Sequence, residues 1–346
     1  MTEQEAMRVM VAPGTRRPGK YREGVIQIHV TRACDRACYA CTQGSNLGGK
    51  THMISPADFE AAVVSLRGYF GVVGVFGGNP ALHPQFPELC RILREHVPYE
   101  QRGLWCNDPV KEEHGRAMAA TFNPSVSNLN VHMSADAHGR FRRWWPQAHP
   151  VGLQKDSRHS PVHLAMTDLD VLPANPGKDQ RYLTKVPNTE ENRWNLIADC
   201  DINRHWSAMV AAVRGEVRGF FCEVAGAQAI LHEDDPDWPE TGVDVTQEYC
   251  VSYSPGHDEG VAWWQLPMAS FAADARWHCH RCAVPLRGYG ELACAPDANG
   301  EQTSPAHANV FKSKRPARPV QVTTSLVQLG VGRITRTTHY LQNSGK

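Results

Sequence analysis

The chain has 346 residues, 41% of them hydrophobic, enough to bury one large core or two unequal ones. Its 36 basic and 36 acidic residues cancel, so the overall charge favours neither nucleic acid nor an anionic membrane as a partner. No run reaches the roughly 18 apolar residues of a membrane span, and residues 1–20 lack the apolar stretch of a signal peptide, so we expect a cytoplasmic protein.

Val25–Thr31 alternates apolar with polar or β-branched residues and predicts a strand. A cysteine-rich loop follows it. Ser55, Pro56 and Asp58 supply a cap, a first-turn proline and a box-like acid for a helix reaching about Leu66. Gly71–Phe76 reads as a short buried strand that runs into Gly77-Gly78. Pro84–Val97 is a second helix, with Leu89, Ile92 and Leu93 on one face. Gly103–Asn107, Asn128–Met133 and Val162–Met166 are three further strands. Strands alternating with helices imply βαβ units and a parallel sheet. We expect an α/β fold, a partial (β/α)6 barrel of the TIM type, with functional loops at the C-terminal ends of its strands. The cysteine loop and the Gly-Gly turn then face the same end.

The composition shifts near Asp170, and residues 172–188 are rich in Pro, Asn, Gly and charge. Beyond them, Glu190–Cys200 predicts a helix, Ser207–Val224 a hairpin turning near Gly215-Glu216, and Ala225–His232 another helix. Phe311–Lys346 carries seven Lys or Arg and no acid, the composition of a flexible basic tail. The chain thus divides into a lead-in (1–21), a partial-barrel core (22–188), a small α+β C-terminal extension (189–295) and the tail (296–346).

Eleven cysteines in a chain without an export signal point to metal ligands or catalytic groups rather than disulfides. Cys34, Cys38 and Cys41 form a C-x3-C-x2-C run. Three thiolates this close can hold three irons of a cubane [4Fe-4S] cluster and leave the fourth open, as a catalytic zinc keeps an open position. Zinc is the rival, but it takes four ligands, and only the oddly spaced His29 and His52 are at hand to complete the set.

This run resembles the radical S-adenosylmethionine (SAM) family, which carries C-x3-C-x2-C on the loop after its first barrel strand. Family members place an aromatic directly before the third cysteine, near the SAM adenine; here that position is Ala40, and Tyr39 lies one residue earlier. Gly77-Gly78-Asn79-Pro80 resembles the Gly-Gly-Glu-Pro turn that binds the SAM amino group, with Asn79 in place of the acid. An Asn oxygen accepts a hydrogen bond from an ammonium but offers no charge. Leu82-His83-Pro84 also looks like the family, and Ser134 resembles a serine near the SAM carboxylate or ribose. The likeness covers about residues 22–170. It implies that a reduced cluster passes an electron to SAM, whose C–S bond breaks to give a 5′-deoxyadenosyl radical that takes hydrogen from the substrate. It also implies an electron donor such as flavodoxin or ferredoxin.

Cys200, Cys222, Cys279 and Cys282 resemble, in looser spacing, the twitch or SPASM-like extension that carries an auxiliary [4Fe-4S] cluster in some members. Two other readings stand beside it: zinc on the same residues with His278 or His280, and ordinary core thiols. Related enzymes with such extensions modify peptides or oxidise alcohols, so the resemblance implies a peptide or small polar substrate. Cys90 reads as a core thiol, and the pairs Trp144-Trp145 and Trp263-Trp264 as packing. His132 and His163, on predicted strands, read as core residues. The alternative function is a non-catalytic iron–sulfur or zinc protein with a redox-sensing or structural role.

Overall fold

A computed structural model describes residues 1–16, 24–34, 43, 51–107, 109, 111–129, 143–144, 190–198, 200, 207–246, 260–280 and 282, with the backbone of 295–296 and 302–303. Its centre is a sheet of seven strands: β1 (Val25–Thr31), β2 (Val72–Gly77), β3 (Arg102–Cys106), β4 (Asn128–Leu129), β5 (Ala208–Val213), β6 (Glu216–Phe220) and β7 (Val243–Asp244). The order is β4-β3-β2-β1-β5-β6-β7. β1 to β5 pair in parallel, while β6 and β7 run antiparallel at one side. β1 is therefore flanked on both sides, and all seven of its residues are buried.

The fold is α/β, as the alternating strand and helix signals predict. Among the described residues the sheet is open, ending at β4 and β7, so barrel closure is not formed by them. The strand expected at Val162–Met166, with His163, lies outside them, as do His132 and Asn128–Met133 beyond Leu129. The hairpin β5–β6 pairs directly with β1, so one sheet carries residues from both sides of the expected boundary at 188. Its two-residue turn is Arg214-Gly215, both at positive φ, the geometry that suits the twist of paired strands. Arg214 is held there by donating to the carbonyls of Glu233, Asp235 and Trp238.

Seven helices of the described residues surround the sheet: α1 (Glu3–Val9), α2 (Pro56–Val64), α3 (Phe86–His96), α4 (Glu112–Thr121), α5 (Glu190–Ala198), α6 (Glu223–Leu231) and α7 (Ala272–Cys279). α2 starts as its sequence signal predicts: Ser55 Oγ accepts from Asp58 N–H at 3.0 Å, and Pro56 opens the first turn. The helices α1, α4 and α7 were not legible as elements, although Thr2 and Glu5 form a capping box at α1.

The two faces of β1 differ. Ile26, Ile28 and Val30 join Val73, Val75, Leu104, Phe59, Leu89 and Leu93 in the main core. Gln27, His29 and Thr31 lie on the other face and are equally buried. Trp105 covers that face, with its ring against Gly74 and Gly103, where any side chain would collide. Trp263 and Trp264 sit in the same way on Gly219 and Gly14, so this pair does serve packing.

Phe86 is wholly buried between α3 and α4, stacked on Phe122 with ring centroids 6.2 Å apart. Phe86→Ala is expected to lower folding stability by about 3–5 kcal/mol. The check is a urea titration, in which the midpoint falls while the m-value holds.

Candidate functional site

The C-terminal ends of β1, β2 and β3 meet at one edge of the sheet. As β1 ends, its backbone is gripped on one side by the segment that returns from the cysteine loop. Arg32 N–H donates to His52 O at 3.0 Å, and Ile54 N–H to Val30 O at 3.0 Å. Met53 forms an antiparallel bridge with Thr31. The loop from Cys34 to Thr51 thus leaves and re-enters the fold at one closed neck.

The other side of the neck is the Gly-Gly turn. Gly78 N–H donates to Thr31 O and Asn79 N–H to Ala33 O, both at 2.7 Å. An irregularity in register between His29 and Thr31 brings Gly77 opposite Thr31. Gly77 has φ 144°, and a Cβ there would fall 2.3 Å from Thr31 O; at Gly78 it would fall 2.3 Å from Ala33 O. Only glycine permits this approach. Asn79 is buried, and its Oδ1 accepts from Ala81 N–H at 3.2 Å, capping the short turn Pro80–Leu82. The oxygen that the family likeness would aim at an ammonium also holds its own turn.

Two buried histidines secure that turn from outside. His114 Nδ1 donates to Ala81 O at 2.7 Å. His83 Nε2 donates to Ile54 O at 2.9 Å, and its Nδ1 accepts from Gln85 N–H at 3.1 Å. That pattern fixes the neutral ring, and burial pushes its pKa down to about 4.

At the exit of β3, Asn107 donates from its amide to Cys34 Sγ at 3.5 Å. An N–H aimed at a thiolate favours the charged, ligating form. On the same edge the His29 and His52 rings lie 5.4 Å apart. His29 is wholly buried, and neither ring nitrogen has a hydrogen-bond partner among the described residues. Burial, with help from His52 and Arg32, holds His29 well below its ordinary pKa, so it is neutral. His52 Nδ1 stands 3.8 Å from Glu233 Oε2 and keeps that carboxyl below its usual range.

The second cysteine set is drawn from three segments. Cys200 follows α5, Cys222 precedes α6, and Cys279 ends α7, with Cys282 turning back so that its N–H donates to Cys279 O at 3.2 Å. Ring contacts tie these segments: Trp194 to His280 at 5.1 Å and Phe220 to His278 at 6.4 Å. His278 is occupied by Gln228 Oε1, 2.8 Å from its Nδ1. All four cysteines are buried and none is disulfide-bonded. Burial, reinforced by Cys200, pushes the Cys222 thiol up to about 12, with Arg16 opposing. Among the described residues no three of His, Cys, Asp and Glu group closely enough to hold a single metal ion. A cubane holds its thiolates farther apart than one ion does, and four buried thiols, three of which act on the charge of the buried Arg16, are a donor set of the type it takes.

Of the residues expected at the first site, Cys34, Gly77, Gly78, Asn79 and Pro80 fall on this edge, whereas Cys38, Tyr39, Cys41 and Ser134 lie outside the described residues. Sequence reasoning missed Asn107, Glu233 and Arg16, single residues with no spacing signal. Cys90 is a core thiol as expected, pushed up to about 12 by burial.

No family model and no curated protein matches the chain. One solved structure, described as the crystal structure of BtrN in complex with AdoMet and 2-DOIA, is similar at 16% identity and a TM-score of 0.32, over 64% of this chain and 84% of that one. At that level the likeness carries no argument. No helix among the described residues is long and apolar enough to cross a membrane.

The histidine that pins the turn sets a pH dependence. His83 takes a proton near pH 6.5 when unfolded but only near 4 when folded. Its contribution is therefore complete above about pH 6.5 and is lost as pH falls toward 4, on the order of 3 kcal/mol in all. At pH 5 the wild type should take up about one proton more on unfolding than His83→Gln. Urea titrations at stepped pH test this, and equal slopes for the two proteins would sink the assignment.

Proposed function

We propose that the chain is a radical SAM enzyme whose cysteine loop holds a [4Fe-4S] cluster through Cys34, Cys38 and Cys41. It acts on a peptide or small polar molecule and draws electrons from a flavodoxin- or ferredoxin-like donor. The observation that carries this reading is the neck itself. The Gly77–Asn79 turn and the first residues of the cysteine loop are hydrogen-bonded edge to edge, and Asn107 donates to Cys34. Cys34 and the Gly-Gly turn, 43 residues apart in the chain from Cys34 to Gly77, thus stand together at the ends of parallel strands, where α/β folds put their ligands. In this reading the open sheet is part of a partial (β/α)6 barrel.

When bound there, the cluster and SAM supply an electron for C–S bond cleavage and the means to abstract hydrogen from the substrate. The chain's own residues position and shield. The glycine turn lets backbone approach a ligand without side-chain obstruction. Asn107 stabilises the thiolate of Cys34. His29, neutral and with no hydrogen-bond partner among the described residues, offers one donor and one acceptor to a substrate on the buried polar face. Trp105 and the strand edges exclude water, which protects a reactive species from quenching.

A second reading, a non-catalytic redox-sensing or structural metalloprotein, is favoured by Asn79, which caps its own turn and brings no charge toward an ammonium.

Anaerobic reconstitution with iron and sulfide, followed by dithionite and SAM, decides between them. The wild type is expected to form 5′-deoxyadenosine and Cys38→Ala none. Gly78→Ala, whose Cβ meets the Ala33 carbonyl, should lose at least tenfold in rate. A wild type that holds a complete, reducible cluster yet forms no 5′-deoxyadenosine would establish the redox or structural role instead.

A further inference from the structure

Among the described residues Arg16 is the largest fully buried charged side chain, with 0% exposure. It follows the short turn Pro13–Thr15 and reaches beneath the end of β6. One guanidinium nitrogen donates to Phe221 O, the carbonyl just before Cys222. Another stands 3.5 Å from Met268 Sδ, and Nε has no partner among the described residues. No carboxylate pairs with it among the described residues. The groups that act on its charge are Cys222, Cys200 and Cys279.

A guanidinium stays protonated in proteins, so it cannot relieve burial by losing its charge. A buried charge is tolerated when a counter-charge and hydrogen bonds offset its desolvation. Carbonyl and thioether dipoles supply the hydrogen bonds here but no counter-charge. Thiols are neutral and supply none either. Thiolates bound to a four-iron cubane do, because such a cluster is net negative when oxidised and more so when reduced.

We propose that Arg16 is the internal counter-ion of an iron–sulfur cluster held by Cys200, Cys222, Cys279 and Cys282, and that its fixed charge raises that cluster's reduction potential. The inference rests on reading these four cysteines as cluster ligands, and it names the residue that tunes them. On reduction the cluster gains one electron from a flavodoxin- or ferredoxin-class donor. No proton need accompany it, because the added charge is balanced by a cation already in place. Arg16 acts through the cluster and is a positioning and tuning residue, not a catalytic one.

The test uses the full chain carrying C34A, C38A and C41A, so that only the second set can hold iron. Iron and sulfide are measured, and the cluster is titrated electrochemically with EPR detection. The parent should retain about four irons per chain and lose them when Cys222→Ala is added. Arg16→Gln should lower the reduced-to-oxidised ratio at fixed poise by about tenfold, ~59 mV for a one-electron couple. Arg16→Lys should restore most of it. Thermal unfolding supplies a second reading. Without metal, Arg16→Gln should be at least as stable as its parent, and with the cluster it should be less stable. Equal potentials, or an equal loss of stability with and without metal, would show that Arg16 only fills space, and would leave the cluster reading intact. If Arg16→Gln takes up no iron, Arg16→Lys decides: restored uptake supports the charge, and failure of both overturns it. A parent without any cluster removes the four-cysteine reading and this inference together, while the Cys34 assay stands untouched.

Discussion

Residues Val30–Ala33 at the end of β1 are hydrogen-bonded on both sides, to His52 and Ile54 on one and to Gly78 and Asn79 on the other. A strand end is ordinarily a place where pairing stops and backbone groups turn to water. Here the pairing continues past the regular strand, and it does so because Gly77 and Gly78 let two chains approach more closely than any side chain permits. The cysteine loop is consequently anchored at both of its stems.

The second theme is the burial of polar groups in service of that edge. His83 and His114 are neutral because burial disfavours their charge, and each spends a ring N–H on a backbone carbonyl of the neck region. Gln27, His29 and Thr31 occupy the face of β1 opposite the main core and are buried there, where a purely structural strand would place aliphatic side chains. Glu223 is buried at the start of α6, accepting from the Ser207 hydroxyl at 2.5 Å. Arg16 is the extreme case, a full charge with dipoles and cysteines around it. Each departs from the rule that interiors are apolar, and such departures concentrate where ligands are held.

Local chemistry made several elements legible. β1 showed its alternation, α2 its Ser55 cap and Pro56, and the β5–β6 turn its Gly215, and each lies within a few residues of its expected place. α4 was invisible because Gly115 breaks its pattern, and α7 because Trp, His and Arg interrupt any apolar stripe. α6 is buried almost throughout its length, so it has no polar face to give a helical period, although its Ala-rich run still marked it as a helix.

The sequence by itself determined where cysteines and glycines cluster, because C-x3-C-x2-C and Gly-Gly-Asn-Pro are local patterns that need no fold to be seen. Only the tertiary structure decided that β5 joins β1, that Asn107 reaches Cys34, that Glu233 faces His52, and that Arg16 lies beneath Cys222 from more than 200 residues away. The physical reason is that these are pairings of strands and of single residues across long stretches of chain. No periodicity records them, and they exist only once the sheet has placed its strands side by side.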